Sequence, residues 1–297
     1  MADFRLRRGP SGTDGRISRS TIRQDGPEGG CAIGPSALRS NHSGETGASP
    51  STAAAQLVLR GGRPYVELDA MPEKCFGLVG GLGVGAAVHY YRELAKAHDE
   101  LHLPMNLAMV HADMARMVRW AETGDAKSMG QYVSGLLGRL KAAGAMFAAL
   151  PAVTPHLCIS ELLSIFALPL VNLLEVANDS VRSSGFRRVA LFGTRFTVDS
   201  AMFGALTAVE VVRPRPHEVD YIHKVYFQLA STGVGGKSER DGLTSLAETL
   251  IQRDSVDAII LAGTDLALIF DESNITFPHV DCARVHLAEI LRGMLNS

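Results

Sequence analysis

From Lys74 onward, short apolar runs that end in small residues alternate with amphipathic stretches of helical period, and the chain passes through the same landmarks twice. FGLVGGLG is echoed by VALFGTRFT, and MFAALPAVT by IILAGTDL. Gly81 and Ala152 lie 71 residues apart, Gly193 and Gly263 70 apart. A repeat at nearly equal spacing predicts two similar units that face one another across a cleft. Strands alternating with helices over short connections predict an α/β fold with parallel sheets. The predicted strands are 75–81, 105–111, 144–152, 168–174, 187–194, 209–214 and 256–264. The predicted helices are 84–100, 125–142 (with Asp125 as N-cap), 160–166, 175–184, 199–207, 218–231, 239–253 and 282–295. Ligands of open parallel sheets bind beyond the carboxyl ends of the strands, so the residues just after each strand are the ones to watch.

Residues 1–72 read differently. They are rich in Ser, Gly, Arg and Pro, with nine Arg, no Lys and seven acids. Such a segment buries too little apolar area to offset its ordering entropy. It is expected to be a disordered or poorly ordered tail, with a short hairpin over 56–68. It has neither the apolar core of a signal peptide nor the acid-poor composition of a transit peptide. Across the chain the net charge is −2 and aromatics are 6%, which gives no footprint for nucleic acid. No uninterrupted apolar stretch is long enough for a membrane span. The cysteines, at 31, 75, 158 and 282, form no CxxC pair or disulfide framework, which fits a cytoplasmic location.

Three groups of residues carry candidate chemistry. Gly81-Leu82-Gly83, between a strand and a helix, forms a turn whose backbone N–H groups can meet an anion at a helix N-terminus. Gly81-x-Gly83-x-x-Ala86 formally matches the dinucleotide fingerprint, but no acid stands at the end of the next strand. A plain tight turn is the alternative. Ala152-Val153-Thr154-Pro155-His156 and Gly263-Thr264-Asp265 follow matching strands, and each places a Thr hydroxyl where a helix begins, either as a cap or as a ligand contact. The H-x-D pairs His111/Asp113 and His279/Asp281 share strand faces, but no third metal ligand stands at a motif spacing, so no metal is expected.

In this order, GLVGGLGVGAAVHYYREL, ALPAVTPH, LFGTRFT, LAGTDLAL and FPHVDCARVHLAEIL resemble the aspartate/glutamate (Asp/Glu/hydantoin) racemase superfamily over about residues 75–297. The resemblance implies two pseudo-symmetric α/β units with the active site between them. It also implies a final helix that returns to the first unit, giving units of 73–175 plus 278–297 and of 176–277. No cofactor is implied. Such proteins commonly use two Cys thiols to take a proton from one face of a carbon acid and return it to the other. Here the first Cys position is Ala152 and the second Gly263. The usual Asn becomes Val153 and the usual Glu becomes Asp265.

The surviving frame names Thr154, His156, Thr264 and Asp265 as catalytic candidates, with His156 the best-placed base. Gly81, Leu82, Gly83, Val153, Thr194 and Lys237 are the substrate-binding candidates. Cys158 and Cys282 are alternative thiols, Asp281 could orient a base, and Arg116, Lys141 and Arg195 are further carboxylate partners. Lys237 lies in a glycine-rich loop that could close over a ligand. Three functions stay open: a racemase- or isomerase-like enzyme on a small carboxylate such as aspartate or glutamate, a lyase, decarboxylase or hydrolase on a related acid, and a non-catalytic carboxylate binder. A homodimer is the expected state.

Overall fold

The computed structural model describes residues 56–60, 63–67, 74–165 and 168–295. The expected tail therefore lies almost wholly outside the described residues, except for an antiparallel hairpin of β1 (Gln56–Arg60) and β2 (Arg63–Glu67). The repeat then unfolds in order. The first half holds β3 (Phe76–Gly80), α1 (Val84–Glu100), β4 (Leu107–His111), α2 (Met114–Thr123), α3 (Ala126–Ala142), β5 (Phe147–Ala149), a 3-10 turn over Thr154–Cys158, α4 (Ile159–Ile165) and β6 (Leu170–Val171). The second holds α5 (Leu173–Ser184), β7 (Arg188–Phe192), α6 (Arg195–Asp199), β8 (Glu210–Val211), α7 (Pro216–Thr232), α8 (Lys237–Asp254), β9 (Ala258–Leu261), a 3-10 turn over Thr264–Leu268, β10 (His279–Asp281) and α9 (Cys282–Leu295).

Both four-stranded sheets are parallel throughout. Their orders are β4-β3-β5-β6 and β8-β7-β9-β10. In each sheet the first strand lies between the second and the third, so the two halves share one topology. The crossover changes direction between β3 and β5 in one half and between β7 and β9 in the other. This switch point is where open α/β sheets leave a crevice.

Local sequence explains most of the boundaries. Strands β3, β7 and β9 are buried almost end to end, as central parallel strands must be when helices cover both faces. Asp125 caps α3 by accepting from Ser128 N at 3.0 Å. Helix α2, absent from the predicted elements, has equally plain signals: Asp113 accepts from Arg116 N, and Gly124 ends the helix in the left-handed region. The predicted helix 199–207 does not form. Thr194 instead caps the short α6, and Ala201, Met202, Phe203 and Gly204 all take positive φ. Strand 168–174 shrinks to β6, because Asn172 already caps α5 through Leu174 N.

The last strand, β10, pairs with β9 and completes the second sheet, although the sequence division places 278–281 with the first unit. Helix α9 does pack back on the first half, where Ala283, Leu287 and Ile290 join Phe76, Leu78, Tyr90 and Leu94 in one buried cluster. His286 fixes the docking. Its Nε2–H donates to Val171 O at 2.9 Å, and its Nδ1 accepts from Tyr90 O–H at 3.1 Å. Among the described residues no helix is long and apolar enough to cross a membrane.

Candidate active site between the strand tips

The segments that follow β5 and β9 touch. Thr264, wholly buried in the second half, donates its hydroxyl to Pro151 O in the first half at 2.8 Å. Beside this bond lies a cavity of about 50 Å³, bordered by Leu82, Ala152 and Thr154 from one half and by Thr194, Tyr226 and Phe227 from the other. The repeat thus brings together the positions the sequence pairs across the halves. Thr154 and Thr194 border the cavity, but the Thr194 hydroxyl already accepts from Thr197 N at 3.0 Å in capping α6, and Thr264 is spent holding the tips together.

The glycine turn has a different occupant from the expected ligand anion. Ala86 N, in the first turn of α1, donates to Asp265 Oδ1 at 2.8 Å. Tyr226 O–H donates to Asp265 Oδ2 at 3.1 Å. Asp265 has no solvent exposure. A Cβ on Gly83 would lie 2.3 Å from its Oδ2, and one on Gly85 would lie 2.4 Å from Leu268 Cδ1. These two glycines therefore let the second half press against the N-terminus of α1, and Asp265 supplies the negative charge favoured there. Gly81 has its own reason: its φ is +81°, and a Cβ would stand 2.4 Å from Ala112 O. Neither Gly81 nor Gly83 borders the cavity, and only Leu82 of the turn does.

Burial pushes the Asp265 carboxyl above the ordinary carboxylate range, opposed by the Ala86 N–H and the Tyr226 hydroxyl. Burial first, and the Asp265 charge second, push Tyr226 well above an ordinary phenol. The two side chains form one buried hydrogen-bonded pair.

His156 is placed as part of the core. It is 1% exposed. Its Nε2 accepts from Leu173 N at 3.2 Å, so the proton sits on Nδ1 and is donated to Ala152 O at 2.9 Å. Burial drives its pKa down to about 4, and both ring nitrogens are committed to backbone. This imidazole is neutral and orients the turn after β5; it does not border the cavity. The alternative thiols are equally inward. Cys158 donates to Pro155 O at 3.1 Å and is pushed up to about 12 by burial. Cys282 is fully buried and its thiol is pushed up too.

The basic candidates lie elsewhere. Lys237 begins α8, well exposed and paired with Asp241. The loop before it is a tight connection, with Gly233 ending α7 and packed against Gly85. Arg195 pairs with Asp220, and Arg116 with Asp113 at 3.3 Å. Lys141 lies in the last turn of α3. Val153 is buried in the core of the second half. Of the H-x-D residues, Asp113 and Asp281 cap helices, and His279 Nδ1 lies 3.0 Å from Phe277 O. Among the described residues, no group of three His, Cys, Asp or Glu is placed to hold a metal ion.

Sequence reasoning missed Tyr226. Its ring takes the space that a side chain at position 263 would need: a Cβ on Gly263 would lie 2.1 Å from Cε2 and 2.5 Å from Cδ2. The sequence signal was only a core position on α7, one helical turn beyond Ile222, which does not distinguish it from ordinary packing.

Comparison with known proteins agrees with this architecture. The family model for Asp/Glu/hydantoin racemases matches residues 79–290, and the chain belongs to that family. Similar solved structures include an aspartate racemase homologue from Pyrococcus horikoshii (20% identity, TM-score 0.63, covering 75% of this chain and 100% of that one). A putative Asp/Glu racemase from Yersinia pestis gives the same values. An aspartate racemase from Picrophilus torridus follows at 20% identity and TM-score 0.60, covering 74% of this chain and 94% of that one. At this identity the structures show a shared fold: two parallel α/β units with the strand tips between them.

Proposed function

We propose that the protein is a racemase-like, cofactor-independent enzyme that acts at the carbon α to the carboxylate of a small acid, without the two thiols such chemistry commonly uses. The observation that carries the reading is the cavity shared by both halves at the tied strand tips, bordered by Ala152 and Thr154 from the first half and by Thr194 and Tyr226 from the second. Ala152 faces this cavity with no titratable atom. Position 263 has none either, but Tyr226 fills its space and is the one conventionally titratable side chain among the described residues that border the cavity. Tyr226 stays protonated over the physiological range with its O–H on Asp265, so in the proposed step the Cα proton passes to the Tyr226 oxygen as the Tyr226 proton passes to Asp265 Oδ2, and the reverse relay returns a proton to Cα.

A single donor also favours a second reading, a decarboxylase-type lyase. There the bond from Cα to one carboxylate of a 2-substituted malonate breaks, that group leaves as carbon dioxide, the electron pair is held as the enediolate of the remaining carboxylate, and Tyr226 delivers a proton to Cα from one face and is reprotonated from water. Incubation with small chiral 2-substituted acids and with 2-substituted malonates in deuterated water separates the two. Isomerase chemistry puts deuterium at Cα of recovered substrate; lyase chemistry puts it only into a product that has lost carbon dioxide. Neither signal at any acid tested would leave a carboxylate binder and refute the enzymatic reading. We also place the protein in the cytoplasm as a homodimer, on its cysteine usage and the symmetry habit of oligomers; light scattering at the mass of one chain would refute the dimer.

A further inference from the structure

The pair His279 and Asp281 lies outside the strand-tip cavity and borders a larger hollow. This is a groove of about 660 Å³ between α1 and α9, flanked by the segment 267–275 and by β10. It shares no lining residue with the small cavity, and its size falls within the range of small-molecule sites, about 300–1,000 Å³. Ala97, Ala267, Leu287 and Leu291 give it an apolar side. Its described charged residues are five acids and two bases. Both bases are already paired, Lys96 with Glu100 at 3.9 Å and Arg284 with Glu272, and Asp271 accepts from Ser273 N at 2.8 Å. Glu93 and Asp281 remain. Glu93 makes no hydrogen bond or ion pair among the described residues. Asp281 Oδ1 accepts from Ala283 N at 2.9 Å and from Arg284 N at 3.3 Å, and its Oδ2 has no partner among the described residues. His279 Nδ1–H donates to Phe277 O at 3.0 Å, which leaves Nε2 a bare acceptor.

We propose that this groove is a second ligand site and takes a small organic cation, a protonated primary amine on a hydrocarbon body. The polar atoms left over in it, Asp281 Oδ2, the Glu93 carboxylate and His279 Nε2, are all acceptors. An ammonium group brings three N–H donors and no acceptor, and its bond to a carboxylate is charge-assisted. Burial pushes the Asp281 carboxyl above the ordinary carboxylate range, opposed by the Arg284 and Ala283 N–H groups. A cation beside Oδ2 supplies the counter-charge that this half-covered carboxylate lacks. The excess of acids draws cations toward the groove and repels anions. The cation is organic, because no group of three acid, His or Cys side chains among the described residues is placed to hold a metal ion, and because the groove has an apolar side for a hydrocarbon to cover.

The test is calorimetry on the full chain at constant ionic strength with butylammonium, phenethylammonium, tetramethylammonium and butyrate. Both primary amines should bind saturably. Tetramethylammonium carries the charge without an N–H and should bind about tenfold more weakly or worse, and butyrate should not bind. Asp281→Asn keeps a capping side chain on α9 and should weaken the amines by about tenfold or more. Glu93→Gln should weaken them by about two- to fivefold. Glu122→Gln, exposed on α2 and outside the groove, removes the same net charge and should leave them unchanged. If Asp281→Asn does not fold, the comparison of Glu93→Gln with Glu122→Gln decides. The proposal is overturned by no saturable heat from either primary amine, by butyrate or tetramethylammonium binding as tightly as they do, or by Glu93→Gln weakening them no more than Glu122→Gln.

Discussion

Gly263→Ala is the sharpest probe of how the Tyr226 ring fills the space at position 263. The backbone at 263 is ordinary extended chain, with φ −116° and ψ 115°. With open space around it, the substitution would stabilise the fold by about 0.4–1 kcal/mol through the unfolded chain. The space is not open. The new Cβ would lie 2.1 Å from Tyr226 Cε2, 2.5 Å from Cδ2 and 2.9 Å from Cζ, and the ring must move by more than an ångström. Overpacking of this kind costs roughly 1–3 kcal/mol. If the hydroxyl leaves Asp265, the loss of that charged hydrogen bond adds about 1.5–3 kcal/mol.

The expected outcome is therefore a destabilisation of about 2–5 kcal/mol. Tm should fall by roughly 2–4 °C for each of those kcal/mol in a unit of this size. Tyr226→Ala removes the obstacle at its own cost of about 3–5 kcal/mol. In that background Gly263→Ala should become neutral or stabilising, so the coupling in a double-mutant cycle read by urea unfolding should be the whole cost of the single substitution, about 2–5 kcal/mol. A Gly263→Ala variant as stable as the parent, or more so, refutes the claim that the Tyr226 ring excludes a side chain at 263.

Three further outcomes follow from the same geometry. His156 has a folded pKa of about 4 below an unfolded value near 6.5. Between those values the unfolded chain binds the extra proton, so stability should fall by about 3 kcal/mol as pH drops from 6.5 to 4. His286, lowered to about 3, adds in the same direction. His156→Phe should flatten its share of that slope in pH-dependent denaturation, and an unchanged slope would refute the neutral-imidazole assignment. Gly83→Ala should cost about 1–3 kcal/mol, because its Cβ meets the Asp265 carboxylate; tolerance within 0.5 kcal/mol would show that the carboxylate does not sit on the α1 N-terminus. Cys158 and Cys282, buried and with raised pKa, should resist iodoacetamide in the native protein at pH 8 and react on unfolding. Rapid native labelling with loss of function would return a thiol to the chemistry.

The architecture was legible because it is written in periodicity. Apolar runs such as FGLVG and AIIL, which become β3 and β9, and their recurrence at matched spacing lead to two parallel sheets without any long-range information. The helix caps are nearly as plain, and α2 with its Asp113 and Gly124 was there to be read. Residues 199–207 misled because Ala, Met and Phe are poor candidates for positive φ, yet Ala201, Met202 and Phe203 all adopt it. The site was legible only as a set of tips. Which atom meets which depends on contacts such as Asp265 with Ala86, 179 residues apart, and Tyr226 with Gly263 on different elements. His156 illustrates the limit. Its residue type and position argue for a base, and the backbone N–H of Leu173, 17 residues on, makes it a structural strut.

The return of α9 to the first half has a consequence for biosynthesis. The face of β3 formed by Phe76 and Leu78, with Tyr90 and Leu94 of α1 above it, is closed by Ala283, Leu287 and Ile290. Because a ribosome releases the polypeptide from its amino end, the sheet built on β3 must wait, with one greasy side bare, until α9 has cleared the exit tunnel. The half that is translated first is thus among the last to be finished.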